Sequence, residues 1–285
     1  MSATTTAHAD TFGMHLRRWR KARGKSQLDL SLLAGYSQRH LSFVESGRAR
    51  PSRATVVVLC EALGVPLAAR NELLLAAGFA PIYREHTMDS PELAPFRELL
   101  QTLLERQDPF PALVVDDGWT LVFANAAAVG FLGWLRGGVP LPGTNVVRWC
   151  FDDAALKPHI VEWPIAARHL YWRLQRDALG DPDNPRLAAL LAELQPRLPA
   201  ESLNDLLDGL RPAPPIMMTT YQRLLPDAAP DAAPAHARIF SLLATVGTAQ
   251  DVTLSGLHLE TFLPADEATR ALFEELSARR RSSGS

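Results

Sequence analysis

Residues 37 to 43 read Ser-Gln-Arg-His-Leu-Ser-Phe. The types and their crowding suit the reading of base edges. An arginine such as Arg39 can form a bidentate bond with the O6 and N7 of guanine, and a glutamine such as Gln38 can do the same with the N6 and N7 of adenine. Ser42 adds a hydroxyl on the same stretch. Phe43 either meets a thymine methyl or covers the edge of a core. His40 either touches a phosphate or lies solvated on the surface. Arg48, Arg50 and Arg53 follow closely, and arginine is a common partner of phosphate oxygens. Any one of these arginines is as readily a solvated surface charge. Their clustering is what points to a polyanion.

That clustering shows in the charge balance. Asp10 to Cys60 holds ten Arg/Lys against three acids, a segment of +7, while the rest of the chain carries −9 and the whole −2. A basic first fifth on an acidic remainder suggests a polyanion-binding head joined to a body that does not bind polyanions. With 285 residues, 47% of them hydrophobic, the chain suffices for about two globular domains.

Short helices must position the head's polar groups. The pattern predicts a helix over Phe12–Ala22, with Phe12, Leu16 and Trp19 on one face, stopped by Gly24. Ser26, with Asp29 three residues on, opens a second helix as a variant capping box. Leu28, Leu30, Leu32, Leu33 and Ala34 are its expected apolar side, and Gly35 ends it. Ser37 caps a third helix, Gln38–Glu45. Pro51-Ser52 opens a fourth and Pro66 a fifth, which ends near Gly78. Two short helices joined at a glycine turn form a helix-turn-helix unit, whose second helix can enter the major groove.

The ordered set Ser26-Gln27-Leu28-Asp29-Leu30, Ala34-Gly35-Tyr36-Ser37, Leu41 to Arg48 and Pro51-Ser52 resembles the helix-turn-helix of the phage-repressor-like (Cro/C1, or XRE) regulators over residues 12–78. The resemblance implies a mainly α, five-helix, lambda-repressor-like head. Its expected DNA-binding set is Gln27, Ser37, Gln38, Arg39, His40, Ser42, Phe43, Arg48, Arg50 and Arg53, with Gln27 meeting a phosphate at the start of the second helix. The resemblance also implies a structural ion pair between Arg20 and Glu45, and double-stranded DNA bound by a homodimer.

Beyond a hinge-like, proline-bearing stretch at 81–95 the period changes. A helix is expected over Leu93–Arg106. Ala112–Val115 and Trp119–Ala124 read as strands around the turn Asp116-Asp117-Gly118, and Asn125 is placed to cap the helix Ala126–Trp134. Asn145 to Asp152 reads as a connector. Helices are expected over Ile160–Leu179 and Pro185–Leu194, the first with Trp163, Ala167, Leu170 and Leu174 at helical spacing. Strands follow at Ile216–Leu225, Arg238–Val246 and Ser255–Leu263, with a loose loop at Pro226–Ala235. A final helix spans Asp266–Ala278, and Arg279–Ser285 is a tail. The body is thus an α+β domain with a five-stranded antiparallel sheet and flanking helices. The expected division is 10–80 head, 81–95 hinge, 96–278 body and 279–285 tail.

The blocks PALVVDDGWTLVFANAAA, NVVRWCFDDAALKP, VEWPIAARHLYWRLQRDALGDPDNPRL and VGTAQDVTLSGLHLETFLPADEAT resemble the ligand-binding domain of MmyB-like regulators, in which a PAS-like body follows an XRE head. That resemblance implies a small hydrophobic ligand, with fatty acid as the leading class. The expected ligand set is Phe123, Phe131, Trp149, Trp163, Arg168, His169, Trp172, Phe240 and His258. Trp119, Tyr171 and Phe262 are further aromatics of the body, and any one of the aromatics is more readily a core residue than a ligand contact. Arg148, Arg168, His169 and His258 are the cations that could anchor a carboxylate.

Other chemistries find little support. His159, His169 and His258 lack metal-ligand spacing, and Cys60 and Cys150 have no ligand neighbours, so no metal is expected. The body glycines match neither a P-loop nor a dinucleotide fingerprint, and Ser241 and Ser255 sit in no nucleophile elbow. No catalytic residue and no cofactor is expected, only a bound fatty acid or similar ligand. Met1–Thr11 is polar, without a signal core, and the uncharged stretch Gly118–Leu135 begins as a strand, so a cytoplasmic protein with no membrane partner is expected. The alternatives are a body that only dimerises or docks a protein partner, and, further off, an acyl-processing enzyme.

Overall fold

The structure is a computed structural model, and it describes residues 3–136, 142–200, 218–223, 235–247 and 249–283. It separates into two units. Unit 1 comprises Met1–His86, Gln175–Ala188 and Gly247–Ser255, and unit 2 the remainder.

In unit 1 five helices follow one another: α1 Ala3–Ala22, α2 Gln27–Ala34, α3 Gln38–Glu45, α4 Arg53–Ala62 and α5 Leu67–Ala76. Short polar caps set their starts. Ser26 accepts the N–H of Asp29 while the Asp29 carboxylate accepts the N–H of Ser26, closing the capping box. Ser37 accepts the N–H of His40, and Ser52 that of Thr55. Gly35 ends α2 at φ 71°, a left-handed geometry that glycine adopts without a Cβ penalty. Phe12, Leu16 and Trp19 of α1 are fully buried against Leu30, Leu41, Val44, Val56 and Leu59. Tyr83 is tied to Asn71, whose side-chain amide donates to the Tyr83 carbonyl at 2.7 Å, and His86 Nδ1 lies 2.7 Å from Asp251.

Two expectations for these helices need correction. α1 begins at Ala3, not Phe12. In α2 only Leu30 of the four leucines is buried, while Leu28, Leu32 and Leu33 are 49%, 73% and 58% exposed. At about 100° per residue, Leu28 and Leu32 fall about 160° round the helix from Leu30 and Leu33 about 60°, and only the face of Leu30 meets the core.

Unit 2 holds α6 Ala94–Glu105, β1 Ala112–Val115, β2 Leu121–Ala124, α7 Ala126–Arg136, α8 Val146–Cys150, most of α9 Trp163–Gly180, the end of α10 Pro185–Leu194, β3 Met218–Gln222, β4 His236–Thr245, β5 His258–Pro264 and α12 Glu267–Ser283; the short α11, Val252–Ser255, lies in unit 1. The five strands form one antiparallel sheet in the order β2-β1-β5-β4-β3, with helices flanking it, the α+β arrangement that the sequence pattern predicts. Asn125 accepts the N–H groups of Ala112 and Ala128 and donates to the carbonyls of Leu104 and Phe110, so one buried amide joins the end of α6, the hairpin and the start of α7.

Here too the limits shift. Ile160 bridges Tyr221 and Val161 donates to the Thr220 carbonyl, so α9 starts at Trp163. The expected connector at 145–152 contains α8, capped by Asn145. The expected tail is helical to Ser283, because Ser277 and Arg280 bond to Asp108 and hold the last turns of α12. The loop read at 226–235 lies outside the described residues except Ala235.

Candidate nucleic-acid interface and ligand cavity

The first turn of α3 presents Ser37, Gln38 and Arg39 as exposed residues, with His40, Ser42 and Phe43 partly exposed. The cap on Ser37 satisfies the N–H of His40 and fixes where this turn starts. The Arg39 guanidinium lies over the Phe43 ring, 5.3 Å from its centroid, and the His40 ring stacks on Tyr36 at 5.3 Å. Phe43 therefore shelves the arginine beside it, which steadies a long side chain that otherwise loses rotamer freedom on binding.

Arg48, Arg50 and Arg53 are exposed. Among the described residues, neither they nor Arg39 form an ion pair, so four guanidiniums keep their full charge around α3 and the start of α4. Arg53 stacks over Phe79 at 5.7 Å. Arg20 is bound instead: its Nε and Nη2 donate to the two oxygens of Glu45 at 2.6 and 2.8 Å, and its Nη1 to the Lys25 carbonyl. This bidentate pair holds the end of α1 to the end of α3. Gln27 belongs to the same network, its side-chain amide donating to Glu45 at 2.8 Å. In this structure that amide is used internally.

Unit 2 contains a cavity of about 620 Å³, counting its open mouth. Its lining is mostly apolar, with Leu113, Phe131, Leu132, Val146, Trp149, Leu156 and Phe262 among the walls. Strand alternation explains which sheet residues reach it. Leu113 pairs with Glu260 and Tyr221 with Ala237, and these side chains share one face with Phe262. Phe123 pairs with Val114, and Phe240 with Leu263, placing both on the opposite face.

The expected ligand residues therefore divide. Phe131 and Trp149 line the cavity. Trp163 packs edge-on against Phe151 at 4.8 Å, one layer away. His258 stacks on Trp119 at 6.3 Å and does not line the cavity. On α9 the described lining residues are Leu170 and Arg173, three apart on one face; Arg168 and Trp172 lie on the other side of the helix, Trp172 being 54% exposed, and His169, one turn before Arg173, does not line the cavity. Burial, and then the charge of Arg168, lower the pKa of His169, which disfavours its cationic form as a carboxylate anchor. Arg148 is exposed and paired with Glu193 at 2.8 Å.

The polar centre of the cavity is built on Arg173 and Glu260, which the residue patterns did not single out. Arg173 Nη1 donates to Glu260 at 3.1 Å, and the same carboxylate oxygen accepts the Ser241 hydroxyl. The face of the Arg173 guanidinium lies 4.2 Å from the Trp119 ring centroid. Trp119 reaches this place from a turn, at φ 65°, rather than from the strand expected there. Asp116 holds that turn by accepting the N–H groups of Gly118 and Thr120. A bulky residue at positive φ is strained, and such strain clusters at ligand sites. One signal was available in the sequence: Arg173 stands three residues after Leu170, beside the apolar stripe of that helix.

Burial pushes the Cys150 thiol up to about 12, with the Glu260 charge adding to the shift. Burial, Cys150 and Glu260 likewise raise Tyr221 well above the ordinary phenol value. Both groups are neutral at pH 7. Among the described residues no cluster of His, Cys, Asp or Glu could hold a metal ion, and no helix is long and apolar enough to cross a membrane.

Two family models match separate parts of the chain. A helix-turn-helix domain family matches residues 11–73, and the MmyB-like transcription regulator ligand binding domain matches residues 96–203. No curated protein matches the chain. Among solved structures, the restriction-modification controller protein C.AhdI from Aeromonas hydrophila is 33% identical over 24% of this chain and 97% of its own, with a TM-score of 0.22. An RNA-binding light-oxygen-voltage receptor is 12% identical over 96% of this chain and 64% of its own, with a TM-score of 0.25. The chain carries an XRE-like helix-turn-helix domain followed by an MmyB-like ligand-binding domain, and it is a DNA-binding transcription regulator of that composition.

Proposed function

We propose that this regulator reads a specific operator as a homodimer in the cytoplasm and that a small hydrophobic, fatty-acid-like ligand in the body controls it. The observation that carries the DNA half is the set of four guanidiniums, without an ion pair among the described residues, around a capped α3 whose first turn exposes Gln38 and Arg39. Arg39, Gln38 and Ser42 read base edges, with Phe43 beneath Arg39. Arg48, Arg50 and Arg53 meet phosphates, as does the backbone N–H of Gln27, and His40 lies at the edge of the contact. Two heads on a two-fold operator take half-sites about 34 Å apart, one helical turn.

The apolar cavity supports the ligand half. We read the body as PAS-like, on its opening hairpin, its Asn125-capped helix and the three antiparallel strands that close the sheet. The protein has no catalytic role in this reading.

The test has two arms. Selection from a random DNA pool should return a two-fold sequence, and affinity for it should fall steeply with salt, because each phosphate contact releases a counterion. Native mass spectrometry of the purified chain, followed by denaturing extraction, should find an acyl-type molecule bound. Recovery of no preferred sequence would sink the operator half. An empty protein whose melting point no fatty acid or acyl derivative shifts would sink the ligand half.

A further inference from the structure

We infer that the cavity of unit 2 selects acyl-type ligands whose polar end is an uncharged carbonyl, such as an amide or ester, over the corresponding free carboxylate. The inference rests on the reading of the cavity as a ligand site and specifies the head group it takes.

Arg173 and Glu260 are the charged residues among the described lining, and they are already joined at 3.1 Å. Glu260 is 7% exposed, and its bonded oxygen also accepts the Ser241 hydroxyl. The centre is therefore neutral before any ligand arrives. Arg173 still has a donor to give. Its Nη2 is buried without a hydrogen-bond partner among the described residues, although its Nη1 is held by Glu260 and its face is covered by Trp119. A buried unmet donor is costly, and a ligand that supplies an acceptor removes that cost.

An uncharged carbonyl oxygen meets this requirement. A carboxylate would meet it too, but it would bring a second negative charge beside Glu260 with only one guanidinium between them. Two carboxylates sharing one site do not both ionise readily. Burial and the Glu260 charge likewise raise the pKa values of Cys150 and Tyr221 on this wall, the same disfavour toward a further negative charge. Arg136 lies over the Trp149 ring at 5.2 Å, but its guanidinium donates to the Ala154 carbonyl and does not line the cavity.

The test is titration of the full chain at pH 7 with decanamide and with decanoate, followed by tryptophan fluorescence, with the uncharged dye Nile red as a separate probe of the apolar walls. Decanamide is expected to bind about tenfold more tightly than decanoate, a difference of about 1.4 kcal/mol. Glu260→Gln leaves Arg173 uncompensated and is expected to reverse the order. Changing both Arg173→Met and Glu260→Met removes the charges together, which guards against a misfolded single variant; it should keep Nile red and lose the discrimination. Tighter binding of decanoate to the unaltered chain would overturn the inference and leave the ligand site standing. So would uptake of Nile red with no binding of either acyl probe. Failure of all three probes would overturn the ligand site, and the inference with it.

Discussion

At the scale of single residues, the arginines differ in what holds them. Arg20 is spent on Glu45 and is structural. Arg39 rests on Phe43 at the exposed first turn of α3, whereas Arg50 lies beyond the helix, its tip against Gly78. Arg39→Ala should cost about 1–3 kcal/mol on the preferred operator and little on unrelated DNA, as expected for a base contact. Arg50→Ala should weaken both by the same factor and reduce the slope of log K against log salt by about 1. Fluorescence anisotropy on the two DNAs across a salt series measures both. Equal losses for Arg39→Ala on every sequence would remove it from the base-reading set.

At the scale of elements, the close approach of α1 to α3 depends on Gly13. A Cβ there would come within 2.9 Å of the Val44 carbonyl oxygen and closer still to that of Glu45. Alanine normally stabilises a helix by about 1 kcal/mol relative to glycine. Here the sign should reverse, with Gly13→Ala destabilising by about 3 kcal/mol in urea unfolding because backbone has to move. The end of α12 depends on Asp108. Burial alone would raise its pKa, but the Ser277 hydroxyl and the Arg280 and Arg281 charges prevail and hold it below the ordinary carboxylate value. A depressed folded pKa contributes stability that is present above the unfolded value, about 3.9, and is lost as pH falls through the folded one. Asp108→Asn should therefore melt lower than the unaltered chain at neutral pH, and the gap should narrow progressively as pH falls below about 4. A gap independent of pH would show that the carboxylate's charge is not what anchors the helix.

At the scale of the whole molecule, a head of +7 and a remainder of −9 confine attraction to DNA to one part of the chain. Ligand binding in the body can regulate that attraction only through a coupling free energy, and such coupling is reciprocal. If decanamide changes operator affinity by some factor, saturating operator should change decanamide affinity by the same factor. Calorimetric titration with and without operator duplex checks this equality. Two binding events that leave each other unchanged would make the cavity's ligand a structural component rather than a signal.

What the sequence determined by itself was local. Caps, glycine stops and apolar spacing depend on neighbours within a few residues, and so Ser26, Ser37, Ser52, Asn125 and the five helices of the head were legible, as were the five strands. The two ends of the chain's helical content were not: α1 extends back to Ala3, and Asp108, far along the chain, carries α12 through the expected tail. The ligand site was less legible still. Which aromatic faces a cavity depends on strand register and helix rotation, and these are decided by packing between distant segments. That is why Phe123 and Phe240 fall on the far face of the sheet and Arg168 and Trp172 turn away. Only the tertiary structure could bring Arg173, Glu260, Ser241 and Trp119 together, from four separate elements, around one neutral pair with a donor to spare.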